Sequence, residues 1–188
     1  MNDTLHARPA PKRLPYGLQA WQATIGYIHN AYSPDAALAF RAYPFDGGVI
    51  GWAATASWAT ESVSVRDLPS LDVAMSELWR EFESRYDLLK SFEAHARRPA
   101  GYADDEWLDP PTQSILDRLM QVTWFVFKAD WAFAAYYQPI EQPETRVQTL
   151  LMAKGGAVRI KGRGATLEDA CRELFLSAAK EYKAFGKG

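Results

Sequence analysis

The sequence predicts an α+β protein, built as a tandem internal duplication of an α-β-β-β-α module with antiparallel sheets and helices packed on one face. Three observations carry this. "PSLDVAMSELWREFESRYDLL" (69–89) and "GATLEDACRELFLSAAKEYKAF" (164–185) read as the same amphipathic helix. Matching strand-like segments precede each copy. A stretch rich in proline, glycine and acids lies between them. The two sheets either stay separate or join edge to edge into one continuous pseudo-twofold sheet. Joining is favoured, because it removes two exposed edges that invite aggregation.

Residues 1–17, polar and proline-rich, read as a flexible arm with no apolar stretch of the signal-peptide type. The first module spans 18–96. It opens on a helix whose apolar stripe is Leu18, Trp21, Ile25 and Ile28. "AALAFRAYP", "GVIGWAATASWA" and "ESVSVRD" follow as strands, with "FDGG" as a hairpin turn between the first two. The closing helix places Leu71, Ala74, Met75, Leu78, Trp79, Phe82, Tyr86 and Leu89 at steps of three and four, one apolar face at 3.6 residues per turn. Ser70 stands where a side-chain oxygen can cap the helix, and Asp72 suits the helix dipole.

The linker, 97–113, is "RRPAGYADDEWLDPPTQ", and the second module spans 114–188. Its first helix carries Ile115, Leu119, Val122 and Val126, although residues 122–128 ("VTWFVFK" from Val122) read equally well as a strand. "WAFAAYYQP", "TRVQTLLMAK" and "GAVRIKG" repeat the strand order, with "KGG" at a turn. The last helix repeats the apolar face at an offset of 96 residues (Leu71 to Leu167): Leu167, Ala170, Cys171, Leu174, Phe175, Ala178, Tyr182 and Phe185. Thr166 takes the capping place of Ser70, followed by Glu168 and Asp169.

With 188 residues, 48% of them hydrophobic, the chain can fill a real core, and no apolar run approaches the ~18 residues of a membrane span. A single cysteine rules out an intrachain disulfide or a multi-cysteine metal cluster, which with the rest implies a soluble, cytoplasmic protein. Net charge is −2, unevenly distributed. From Glu61 to Asp109 there are 12 acids and 6 bases, whereas from Lys154 onward there are 8 bases and 4 acids. Such asymmetry either orients a partner or a second copy of the chain or is a solvated surface with no partner, since moderate charge blocks are common.

In order of elements the module is similar to the double-stranded RNA-binding domain. That family grips phosphates with lysines at the start of its last helix. "SLDVAMSE" and "TLEDACRE" present carboxylates there, so no RNA-binding assignment follows from the likeness.

The candidate binding surface comprises Lys154, Arg159, Lys161, Arg163, Trp52, Trp58 and Trp107. In "KGGAVRIKGRG" the three cations Arg159, Lys161 and Arg163 alternate with Val158 and Ile160, so a strand there puts all three on one face. Lys154 adds a fourth charge, and the flanking glycines permit close approach of a nucleic-acid backbone. The bland alternative is an edge strand charged against pairing. Trp52 and Trp58 share one strand face, either in the core or as an aromatic platform. Trp107 docks on its own fold or on another chain.

Catalytic chemistry finds little support, and no cofactor or metal is expected. His6, His29 and His95 are scattered, Cys171 occupies the place of Met75 in the other copy, and no phosphate-binding glycine loop or nucleophile elbow occurs. Asp104, Asp105, Glu106 and Asp109 lack the ordered spacing of a calcium loop. The expected function is therefore non-enzymatic binding. First comes a protein-interaction module (inhibitor, adaptor or self-assembling subunit), with a partner protein or homo-oligomer. Second is a single-stranded nucleic-acid binder using 154–163, and third a metal-dependent enzyme using the acidic linker.

Overall fold

The computed structural model describes residues 17–45, 48–85, 107–139 and 142–186. The Tyr86 and Leu89 positions of the repeat, together with His6, His95, Asp104, Asp105 and Glu106, lie outside the described residues. The elements run α1 (Gly17–Ala31), β1 (Ala37–Pro44), β2 (Ile50–Trp58), β3 (Glu61–Leu68), α2 (Leu71–Arg85), α3 (Pro110–Phe127), β4 (Trp131–Tyr137), β5 (Val147–Ala153), β6 (Val158–Gly164), α4 (Leu167–Glu181) and a short α5 (Lys183–Gly186). All six strands form one antiparallel sheet in the order β3-β2-β1-β4-β5-β6.

Each helix end follows from its local chemistry. Asp109 caps α3 by accepting from the Thr112 amide at 3.0 Å, and the Pro110–Pro111 pair begins the helix, where no intrahelical N–H is required. The helix thus starts inside the stretch expected as linker and runs through Val122 to Phe127, so these residues are not strand. Its buried stripe is Ile115, Leu116, Leu119, Met120, Thr123 and Phe127, rotated from the expected one; Val122 and Val126 sit at its margin, half-buried. Ser70 accepts from the Val73 amide at 3.2 Å and Thr166 from the Asp169 amide at 3.1 Å, as their cap positions predict.

The strands alternate inward and outward residues, and every inward set faces the helices. Phe40, Ala54, Ala135, Thr149 and Gly162 share one row of this face, and all are buried. α2 packs on β2 and β3, α4 on β5 and β6, while α1 crosses β1 and α3 meets β4 and α4. The first half is filled with aromatics. Trp21 meets Trp79 edge-on at 4.8 Å and Phe82 at 5.5 Å, and Trp58 meets Phe82 at 5.7 Å. In the second half, α4 instead approaches the sheet backbone. A Cβ on Gly162 would lie 2.6 Å from the Leu174 amide nitrogen, and one on Gly164 would lie 2.6 Å from that of Ala170. These glycines make room for the protein's own helix and not for a ligand backbone.

Candidate functional site: the open face of the sheet

The outward residues of the strands meet no described helix. Pairing across the sheet sets them in rows: Arg163–Gln148–Tyr136–Ala39–Thr55–Ser64, then Lys161–Leu150–Ala134–Arg41–Ala53, then two shorter runs, Arg159–Met152–Ala132 and Tyr43–Gly51. Directly opposed side chains stand about 5 Å apart, so each row is a line of contacts. The middle of the face is small. Ala39, Ala53, Ala132 and Ala134 surround Arg41, although alanine is a poor strand former. Ala39, Ala53 and Ala132 are half-buried, and Ala134 is buried among its neighbours.

The charges separate by face. Arg41, Arg66, Arg159, Lys161 and Arg163 all lie on outward positions and are exposed. Among the described residues the side chains of Arg41, Lys161 and Arg163 have no hydrogen-bond or ion-pair partner. The Arg159 guanidinium donates to the Gly156 carbonyl at 3.2 Å, which holds it near the turn. Among the described residues, one carboxylate stands at an outward position within a strand, while that of Asp130, just before β4, accepts from the Gly155 amide at 3.2 Å. The strand carboxylate is Asp67, in a bulge of β3 at the far edge, where its Oδ1 accepts from the Tyr43 hydroxyl at 2.7 Å and its Oδ2 lies 3.8 Å from Arg66 Nε. Burial, and then the bond to Asp67, raise the Tyr43 phenol above its ordinary pKa of 10.0. The acids of α2 and α4 belong to the helix side, except that the Glu173 carboxylate reaches the β6 edge and accepts from the Arg163 amide.

Of the expected site residues, Arg159, Lys161 and Arg163 are exposed on β6 between buried Val158, Ile160, Gly162 and Gly164. Lys154 begins a 3-10 turn at φ 52, exposed at the end of that edge. The tryptophans do not join them. Trp52 and Trp58 point into the core at 7% and 8% exposure, as inward parity dictates, so they offer no aromatic platform. Trp107 is fully buried on its own fold. Its carbonyl accepts from the Leu18 amide at 2.9 Å and its ring lies 6.1 Å from Trp79, against Gly17, where a Cβ would meet the ring at 2.6 Å.

The acidic linker gives no metal centre among the described residues: Asp109 is spent as a helix cap, and no group of three possible ligands occurs there. Burial pushes the Cys171 thiol up to about 12, so it stays protonated and inert. No helix among the described residues is long and apolar enough to cross a membrane.

Sequence reading missed Arg41, Tyr43 and Tyr136. "ALAFRAYP" shows their alternation, but only the pairing of β1 with β4 brings them beside the basic strand. A second feature, also missed, is an apolar patch at the β1–β2 turn and the outer side of α3. Phe45, Val49 and Phe125 are 46%, 57% and 68% exposed there, beside half-buried Trp124. No known protein family matches the chain, and no curated protein or solved structure is significantly similar to it.

Proposed function

We propose that this protein is a non-enzymatic binder of nucleic acid, acting through the open face of its sheet. The observation that carries the reading is the segregation of charge. A chain of net charge −2 gathers five exposed cations on one face, where among the described strands the one outward carboxylate, Asp67, is held at the far edge by Tyr43 and Arg66. The carboxylates at the helix starts, which argue against phosphate binding in the sequence, belong to the other side of the sheet and do not confront a ligand lying on the open face. Phosphate contacts release condensed counterions, so affinity for a labelled oligonucleotide should fall with salt at a log–log slope of about −0.7 per phosphate contacted on a single strand. Reversing Arg159, Lys161 and Arg163 to Glu together should weaken binding and flatten that slope. Binding unchanged by the triple reversal would remove β6 as the site.

The apolar patch favours a second reading, a protein partner. Exposed Phe45, Val49 and Phe125 beside Trp124 have the anchor chemistry of protein interfaces. This reading expects a complex that survives nuclease and is lost on Phe125→Glu. A complex insensitive to that change would exclude the patch.

We also infer that the two halves descend from one module. An offset of 95 residues carries Phe40 to Ala135 and its partner Ala54 to Thr149, so both hairpins keep one register. Phe40 and Ala135 also pair with each other, the arrangement expected at a local twofold axis. The link from Lys154 to Ala157 is two residues longer than the Ala59–Thr60 turn, and the bulge in β3 takes one residue back. That accounts for the offset of 96 between α2 and α4 (Leu71 to Leu167). A superposition of 36–85 on 131–181 that fails to align three strands and a helix in order would end this inference.

A further inference from the structure

The open face is a trough with two unlike walls, and its floor and walls select among nucleic acids. One wall is the cation column Arg159, Lys161 and Arg163 on β6. The other is Arg41 on β1, three strand spacings away, about 14 Å at the usual separation of paired strands; the Tyr43 ring lies beyond it, over Gly51 of β2 and bonded to Asp67. Between them β4 and β5 supply a floor of half-buried Ala132, Leu150 and Met152 around buried Ala134, with Tyr136 rising from it in the row of Arg163. Cations on alternate residues of one strand repeat every ~6.7 Å, a step suited to successive phosphates of an extended backbone. The floor is apolar with one aromatic ring, Tyr136, and the far wall carries the planar Arg41 guanidinium, which suits the faces of unpaired bases. A duplex presents its bases edge-on within a groove, and no described helix projects from this face to enter one.

We propose that the trough binds single-stranded nucleic acid lying along the strands, with phosphates on the β6 column and bases stacked on Tyr136 beside the Arg41 guanidinium. This rests on the nucleic-acid reading above and adds to it the single strand and the base contact. Arg41 is suited to its place, because a guanidinium stacks on a base and pairs with base edges where an ammonium does neither.

The test uses the full chain and three labelled probes of equal length: oligothymidylate, an abasic deoxyribose-phosphate oligomer and a DNA duplex, each followed by anisotropy at fixed salt. Oligothymidylate should bind roughly tenfold or more tighter than the abasic probe, as stacking of a few bases requires, and tighter than the duplex. Tyr136→Ala should bring oligothymidylate towards the abasic level while leaving the abasic probe unchanged, and Tyr136→Phe should keep the wild-type affinity. Arg41→Gln, at an exposed site without partners among the described residues, should also weaken oligothymidylate and serves if Tyr136→Ala fails to fold. Equal binding of oligothymidylate and abasic probe, or tighter binding of the duplex, overturns the single-strand trough while leaving polyanion binding in place. No binding of any probe at low salt overturns the nucleic-acid reading itself.

Discussion

The two faces of the sheet are made from the same strands, residue by residue, and obey different rules. On the helix side Phe40, Ala54, Leu151 and Ile160 are at most 3% exposed, and their sizes are set by what packs on them. On the open side the same strands carry Ala39, Arg41, Ala53 and Lys161, and nothing described packs on them. The first face answers to the protein's own stability. The second has no such packing constraint, and its cations stand on the border strand β6, where charge also discourages pairing with another edge. A surface chosen only for solubility would mix both signs of charge.

The contrast can be broken by substitution. The largest stability losses belong on the helix side. Leu78→Ala and Leu174→Ala remove fully buried side chains at equivalent places on α2 and α4, and each should cost about 2–5 kcal/mol in urea unfolding. The triple reversal on β6, which changes binding, should shift unfolding by less than about 1 kcal/mol, because its side chains are exposed. A triple variant as unstable as Leu78→Ala would erase the distinction between the faces. Gly162→Ala sharpens it, since the new methyl enters the backbone contact with α4 and should destabilise by about 1–3 kcal/mol, although its neighbours Lys161 and Arg163 are exposed.

Smaller effects follow from single groups. The Cys171 thiol has its pKa raised from 9.0 to about 12 by burial, so the unfolded chain ionises first. Its contribution is complete below pH 9 and is lost as pH climbs towards 12; Cys171→Ala should flatten that part of the alkaline stability curve. The native thiol should also resist Ellman's reagent at pH 8 and react once urea unfolds the chain. Fast modification under native conditions would contradict its burial. On the open side, Tyr43→Phe removes one exposed hydrogen-bonded link to Asp67 and should cost no more than about 1 kcal/mol by thermal melting.

What could be read in advance was local. The faces of α1, α2 and α4 follow from steps of three and four, and the alternation in "VRIKGRG" is visible without coordinates. Residues 122–128 were ambiguous because aromatic and β-branched residues suit both helix and strand. The Asp109–Pro110–Pro111 start decides the matter from more than ten residues away. Trp52 and Trp58 could be placed on one side of β2, but which side faced the helices depends on packing. Arg41 stayed hidden for another reason: its relation to Lys161 passes through pairings with Ala134 and Leu150, far apart in the chain. Composition and periodicity do not encode such distant registers.

The carboxylate of Glu173 accepts from the Arg163 amide at 2.6 Å, and the Tyr43 hydroxyl accepts from the Asp67 amide at 3.2 Å. The Arg163 amide, on the border strand β6, is thereby occupied by a side chain, whereas Tyr43 reaches Asp67 from the inner side, over Gly51 of β2. A further strand arriving at β6 would have to displace Glu173 from the main chain, and at β3 it would meet a bulge that interrupts the ladder. Both features disfavour pairing at these borders.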